Sequence, residues 1–123
     1  MDRYLMVMLG AAAGGLARYA VWTAVTQRIQ SRFPLGTVVV NVTGCFLIGA
    51  LMTWFAQLPS PNPNLRLLLV TGVLGGYTTF SSFAWEAYEC LRDGFPLTGI
   101  ANIAASTILG LIAVWCGILL VRR

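Results

Sequence analysis

Four long apolar stretches constrain this chain more than any other feature of its sequence. They run over about 4–27, 35–57, 65–89 and 97–121. Each is long enough for a helix to cross a hydrocarbon layer of roughly 30 Å. Of the 123 residues, 58% are hydrophobic and only 10% are charged, which is more apolar surface than a small water-soluble fold can bury. The sequence therefore predicts one all-α domain over 1–123, with four transmembrane helices in a lipid bilayer.

Short connections join these stretches. They are Arg28 to Pro34, Leu58 to Asn64 and Arg92 to Pro96. The middle one, LPSPNPN, is punctuated by prolines and is typical of a turn. Connections of this length favour antiparallel packing of consecutive helices, and we expect no separate soluble domain.

The residue types that enzymes use for nucleophilic or metal-assisted chemistry are scarce. The sequence has no histidine, no C-x-x-C, no phosphate-binding loop and no G-x-S-x-G motif. Cys45, Cys90 and Cys116 lack metal-ligand spacing, and we interpret them as small core residues. We therefore expect no enzyme activity.

The basic residues are eight arginines that stand singly or as a terminal pair. This pattern favours anchors at the membrane surface over binding of nucleic acid. With four spans, one side of the membrane carries Arg3, Arg66, Arg122 and Arg123. The other side carries Arg28, Arg32 and Arg92, and Arg18 lies inside the first span, nearer the Arg28 end.

The orientation of a membrane protein normally follows an excess of basic residues on one side. This near balance of arginines therefore gives little direction to insertion. One interpretation is that the chain inserts both ways up, so that two copies form an antiparallel homodimer with a two-fold axis in the membrane plane. The alternative, a single orientation set by other factors, stays open.

Uncharged polar side chains recur inside the spans, where they need partners or water. They form three sets: Thr37, Asn41 and Cys45 at four-residue spacing; Asn102, Ser106 and Gly110 at the same spacing; and Thr78, Thr79, Ser81 and Ser82. Because these sets contain no acidic residue, they suit a small hydrated anion, with fluoride the extreme case, better than a cation or a proton. Phe80 and Phe83, three positions apart, could offer electropositive ring edges to the same ion, although such a pair is also common in ordinary packing.

Gly75 and Gly76, followed by hydroxyl residues, are compatible with a broken helix in the middle of the third span. Such a break would free backbone carbonyls for a cation and a helix N-terminus for an anion. A continuous helix with glycines used for packing is the alternative that the residues leave open.

Three motifs resemble one family. GGLARY at 14–19, the pattern GTxxVNxxGCFxxG at 36–49 and GxxGGYTTFSSFAxE at 72–86 are similar to the Fluc (CrcB) family of small fluoride channels. The resemblance covers essentially the whole chain. It implies a dual-topology homodimer of the bacterial inner (plasma) membrane, with two fluoride pores and a structural Na⁺ at its centre.

The resemblance also implies roles for particular residues. The pore residues would be Phe80, Phe83, Asn41, Thr79, Ser82 and Ser106. Na⁺ would bind the backbone carbonyls of Gly75 and Thr78, and Arg18 would stand toward a vestibule or make a structural contact. At Asn102 and Gly110 family members can carry other residues, and Glu86 receives no pore role.

The function implied is passive export of fluoride, which enters as the neutral acid and is trapped by dissociation. One rival is a small proton-coupled four-span multidrug exporter, which would need an acidic residue buried in the membrane. We place Asp2, Glu86, Glu89 and Asp93 at or near span ends, which argues against it. Another rival is a noncatalytic packing subunit of a larger membrane complex.

Overall fold

The computed structural model describes residues 2–122, and all regular structure within that range is helical. Four helices are long and apolar enough to cross a membrane: Arg3–Arg28, Leu35–Gln57, Pro63–Arg92 and Pro96–Val121. The four predicted spans are confirmed, and the third is longer at both ends than predicted.

The third span is the irregular one. In chain order the elements are α1 (Arg3–Arg28), α2 (Leu35–Gln57), α3 (Pro63–Arg66), a π-helical segment (Leu67–Leu74), α4 (Gly75–Tyr77), α5 (Phe80–Arg92) and α6 (Pro96–Val121). The third span thus contains α3, the π-helical segment, α4 and α5. A π-helix of this length is rare in proteins.

Local signals explain where the third span begins and ends. Asn62 caps α3, since its Oδ1 accepts a hydrogen bond from the Asn64 N–H at 2.9 Å, and Pro63 fits the first helical position. After α5, Gly94 takes a φ of +85°, and the Phe95 N–H donates to the Cys90 carbonyl at 2.8 Å. This is a Schellman ending, for which glycine is the suitable residue.

Glycines allow α1 to lie directly against the first part of the third span. A Cβ added to Gly14 would collide with the carbonyl oxygen of Val73, and one added to Gly10 would meet the backbone of Leu68 and Gly72. Backbone approach through small residues is a main source of helix association in lipid. Gly10 and Gly14 therefore form a packing surface.

The remaining helices pack around α6. A Cβ added to Gly49 on α2 would meet the Val114 backbone, and one added to Gly117 would meet the Phe46 carbonyl. α5 also packs on α6. Large apolar side chains such as Leu111 and Trp115 face outwards, as expected for a chain whose solvent is lipid.

Candidate functional site

The third span is interrupted at two consecutive residues, Thr78 and Thr79. Both have extended backbone, with φ and ψ of −79° and 156° at Thr78 and of −148° and 114° at Thr79. The predicted break is therefore present, and the continuous-helix alternative is wrong. The break lies beyond Gly75 and Gly76, however, because both glycines belong to α4.

Asn41 on α2 holds this break with two hydrogen bonds to one residue. Its Oδ1 accepts from the Thr79 N–H at 2.8 Å, and its Nδ2 donates to the Thr79 carbonyl at 2.9 Å. These bonds satisfy backbone groups that the interrupted helix leaves unpaired. The amide orientation follows from the fixed donor and acceptor of Thr79, and one N–H of Nδ2 remains for another acceptor.

Thr79 also caps the helix that follows the break. Its Oγ1 accepts from the Ser82 N–H at 3.2 Å and donates to the Ser82 Oγ at 3.0 Å. Capping by a threonine stabilises the first turn of α5. The N-terminus of a helix carries a partial positive charge and unpaired N–H groups, so this end of α5 presents hydrogen-bond donors at the break.

Phe80 and Phe83 stand side by side on α5. Their ring centroids are 5.6 Å apart, and the rings are tilted by 49°. The structure therefore brings the predicted pair together. Phe80 is 78% exposed within this single chain, which leaves most of its ring available to another molecule.

One cavity of about 350 Å³ lies at the break itself, and we call it the break cavity. Five residues with a predicted site role line it: Asn41, Gly75, Thr78, Thr79 and Phe80. Cys45 lines it too, one helical turn from Asn41. The four-residue spacing on α2 therefore marks a real face of the helix.

Two backbone carbonyl groups at the break, those of Gly75 and Thr78, have no hydrogen-bond partner within residues 2–122. No bond there reaches the carbonyl oxygen of Gly75 or of Thr78. The Thr78 N–H, the Thr79 N–H and the Ser82 N–H are all directed elsewhere. These two oxygens are thus free to accept a hydrogen bond or to bind a cation.

A second cavity, of about 540 Å³, is also lined by Thr79, and we call it the Arg18 cavity. It brings together three predicted residues: Arg18, Thr79 and Ser82. Since Thr79 lines both cavities, it stands at the boundary between them. The role of Arg18, toward a vestibule or in a structural contact, stays a prediction.

Two predicted pore residues, Phe83 and Ser106, line neither cavity. Phe83 lies beside Phe80 on α5, whereas Ser106 lies apart on α6. The Ser106 Oγ donates to Asn102 Oδ1 on the same helix at 3.1 Å. Asn102 is fully buried, and its Nδ2 has no hydrogen-bond partner among the described residues. The two residues share a face of α6, as their spacing predicted.

Glu86 is the residue whose position the sequence did not reveal. It lies inside the third span, six residues before the end at Arg92, and lines the Arg18 cavity. The Thr37 Oγ1 donates to its Oε1 at 2.7 Å. The predicted third span ended at 89, so Glu86 lies further from the end of the helix than the sequence predicted. The signal for this position in the sequence was the glutamate at the end of the third motif, GxxGGYTTFSSFAxE.

Comparisons with known proteins agree with this architecture. The family model described as "CrcB-like protein, Camphor Resistance (CrcB)" matches residues 5–118. A protein of Solibacter usitatus named "Fluoride-specific ion channel FluC" is 54% identical over 121 residues, which cover 98% of this chain and 99% of the relative. Proteins with the same name from Rhizobium meliloti and Acidobacterium capsulatum are 44% and 42% identical, and each alignment covers at least 97% of both chains.

These matches extend over nearly all of the residues that form the four spans and the break. The predicted resemblance is thereby confirmed. With four helices long enough to cross a bilayer and a family model that covers them, this multi-pass membrane protein belongs to the CrcB family.

Proposed function

We propose that this protein is a fluoride-selective channel that exports fluoride passively. The observation that carries the proposal is the break in the third span, where Thr79 lines two cavities and makes hydrogen bonds with Asn41 and Ser82. The names of the relatives, which describe fluoride-specific ion channels, support the same function.

The donors at the break suit a small anion for a physical reason. Fluoride must exchange its water shell for hydrogen bonds that are firm enough to replace hydration and weak enough to release the ion. The free N–H of Asn41, the hydroxyl of Ser82 and the N-terminus of α5 offer such bonds without a fixed counter-charge. The ring edges of Phe80 and Phe83 would add weak electropositive contacts. Ser106 would continue the polar path along α6.

Passive transport is sufficient for export. The neutral acid of fluoride crosses a membrane and dissociates inside the cell, where the anion is trapped. A selective channel then lets the anion leave down its gradient, with no reaction to catalyse and no second substrate. Arg18 in its cavity would attract the anion to the entrance.

Efflux from liposomes tests this function. Purified protein in sealed vesicles should release fluoride while it retains chloride, measured with ion-selective electrodes. Equal release of the two halides would contradict selectivity. Release of neither would favour the alternative of a packing subunit.

We infer that the working unit is an antiparallel homodimer. Phe80 is largely uncovered in one chain, and the break cavity beside it is open to the surroundings. A second copy with the same surface would cover both through an isologous contact. The near balance of four arginines against three supports opposite orientations of the two copies.

Labelling of the C-terminus tests the orientation. With an epitope tag after Arg123, a protease added to sealed vesicles should remove about half of the tags when insertion is unbiased. It should remove all of them once detergent is added. Complete removal, or complete protection, before the detergent is added would contradict dual insertion.

A sodium ion fits the free carbonyls at the break. The carbonyl oxygens of Gly75 and Thr78 are the type of unwound-backbone ligand that holds Na⁺ in other membrane proteins, and in a dimer each subunit would supply both. Such an ion would neutralise the partial negative charge of these oxygens and join the two breaks.

Replacement of Na⁺ by N-methyl-D-glucamine during purification should lower both dimer recovery and fluoride efflux. Retention of both would contradict the site.

We place the protein in the inner (plasma) membrane. Its spans are α-helices, whereas proteins of the bacterial outer membrane cross it as closed β-barrels.

A further inference from the structure

Tyr77 is the last residue of α4 and stands directly before the break. The residue is 9% exposed, and its phenol oxygen lies 2.8 Å from the Thr43 Oγ1 on α2. A phenol in apolar surroundings needs a hydrogen-bond partner, because an unpaired hydroxyl there is costly. This hydrogen bond therefore fastens α4 to α2, between residues that are 34 positions apart in the chain.

The direction of the hydrogen bond follows from the other contacts of Thr43. Its Oγ1 donates to the Val39 carbonyl at 2.7 Å, with the Val40 carbonyl also near at 3.1 Å. A threonine hydroxyl has a single proton to donate but can also accept. Tyr77 is therefore the donor to Thr43, and the phenol, the hydroxyl and the Val39 carbonyl form a chain of hydrogen bonds that ends on the backbone of α2.

Glycines on two helices bring the backbone close to Tyr77 on both sides. A Cβ added to Gly44 on α2 would lie 3.4 Å from Cδ1 of the Tyr77 ring and would collide with the methyl group of Thr78. A Cβ added to Gly14 on α1 would lie 2.9 Å from the Tyr77 nitrogen. Tyr77 is thus enclosed between α1 and α2, and its hydroxyl adds a directional contact to this packing.

Helix α2 therefore holds the chain on both sides of Thr78. Before it, Thr43 accepts from Tyr77; after it, Asn41 binds the N–H and the carbonyl of Thr79. The N–H and the hydroxyl of Thr78 both donate to the carbonyl four residues earlier, at 3.0 and 2.9 Å. The direction of the free Thr78 carbonyl is thus set by its fixed neighbours.

We propose that Tyr77 is a positioning residue, whose hydrogen bond to Thr43 keeps the carbonyls of Gly75 and Thr78 directed at the proposed Na⁺. This inference rests on the proposed function, and in particular on the sodium ion. Gly75 depends on its neighbours for its orientation, since a Cβ added to it would meet no atom of the described residues within 4 Å. Ligands that are already in place bind an ion more tightly, because they need not be ordered at the moment of binding.

Equilibrium binding of radioactive Na⁺ to the purified protein in detergent tests this role, with N-methyl-D-glucamine as the replacing cation. Tyr77→Phe keeps the ring and removes the hydroxyl, so the Na⁺ concentration at half-saturation should rise about fivefold, the effect of one hydrogen bond. Thr43→Val removes the acceptor and should give the same rise. Thr43→Ser keeps the hydroxyl and should bind Na⁺ within about twofold of the wild-type protein.

The matched control is Tyr4→Phe, which removes a phenol oxygen from a residue that is 83% exposed at the beginning of α1. Its Na⁺ binding should equal that of the wild-type protein. Gel filtration in Na⁺ should show each variant at the wild-type elution volume. If Tyr77→Phe is not recovered there, Thr43→Val and Thr43→Ser give the same comparison.

A double variant distinguishes one shared hydrogen bond from two separate effects. With both Tyr77→Phe and Thr43→Val, Na⁺ binding should match that of either single variant, because the same bond is lost only once. A shift equal to the product of the two single shifts would overturn the proposal, as would wild-type Na⁺ binding in Tyr77→Phe. A wild-type protein that binds no Na⁺ would overturn this role together with the sodium site. One that binds Na⁺ but passes no fluoride would count against the channel function, while the binding comparison would still decide the role of Tyr77.

Discussion

Replacement of Phe80 or Phe83 by isoleucine is expected to lower fluoride efflux at least tenfold, which corresponds to about 1.4 kcal/mol in the barrier. Isoleucine keeps an apolar side chain and a helical backbone at each position. It has no ring, however, and so no electropositive edge for the ion. The two rings are 5.6 Å apart, so an ion in the proposed path beside one ring would lie close to the other. Efflux from liposomes at equal protein density measures the loss.

The control for this prediction is Phe46→Ile. Phe46 is on α2, whereas Phe80 and Phe83 form their ring pair on α5, so the substitution removes the same ring from a different helix. Efflux through this variant should stay close to that of the wild-type protein. Gel filtration in detergent should show all three variants at the wild-type elution volume. If Phe80→Ile and Phe83→Ile both conduct normally, the rings have no part in the path.

Much of the fold follows from one-dimensional patterns. The length of the apolar stretches is enough to place the four spans, since a helix in lipid forms all of its backbone hydrogen bonds within itself and needs no distant partner. Four-residue spacing is enough to place Thr37, Asn41 and Cys45 on one face of α2, because the helical period decides it. Both predictions concern single helices, and the structure agrees with both.

The position of the break depends on contacts between helices, and there the sequence is less informative. Consecutive glycines suggest an unstable helix, but Gly76 lies within a helix, where the lack of a side chain lets the backbone of Ala11 come close. The interruption falls instead at Thr79, where Asn41, 38 positions away, supplies both a donor and an acceptor. No periodic signal encodes such a pair. The same reason explains Glu86, whose hydrogen bond joins it to Thr37, 49 positions away.

Asn41→Asp is expected to stop conduction almost completely, because it removes a hydrogen bond that holds the break and also adds a negative charge near the anion. One carboxylate oxygen can still accept from the Thr79 N–H, but the other would face the Thr79 carbonyl at the place where Nδ2 now donates at 2.9 Å. Loss of that bond leaves two acceptors together, which costs about 1–3 kcal/mol. The new charge also repels the anion by about 4 kcal/mol at a separation of roughly 4 Å and an effective dielectric constant near 20, which is on the order of a thousandfold in rate.

Asn41→Ala separates these two effects. It removes both hydrogen bonds to Thr79 but adds no charge, so its efflux should lie between those of the wild-type and Asn41→Asp proteins. Asn64→Asp is the matched control, since it makes the same chemical change in α3 at the beginning of the third span, where an acidic side chain suits the helix N-terminus. It should conduct like the wild-type protein. Normal fluoride efflux through Asn41→Asp would mean that this side chain neither holds the break nor lies near the anion.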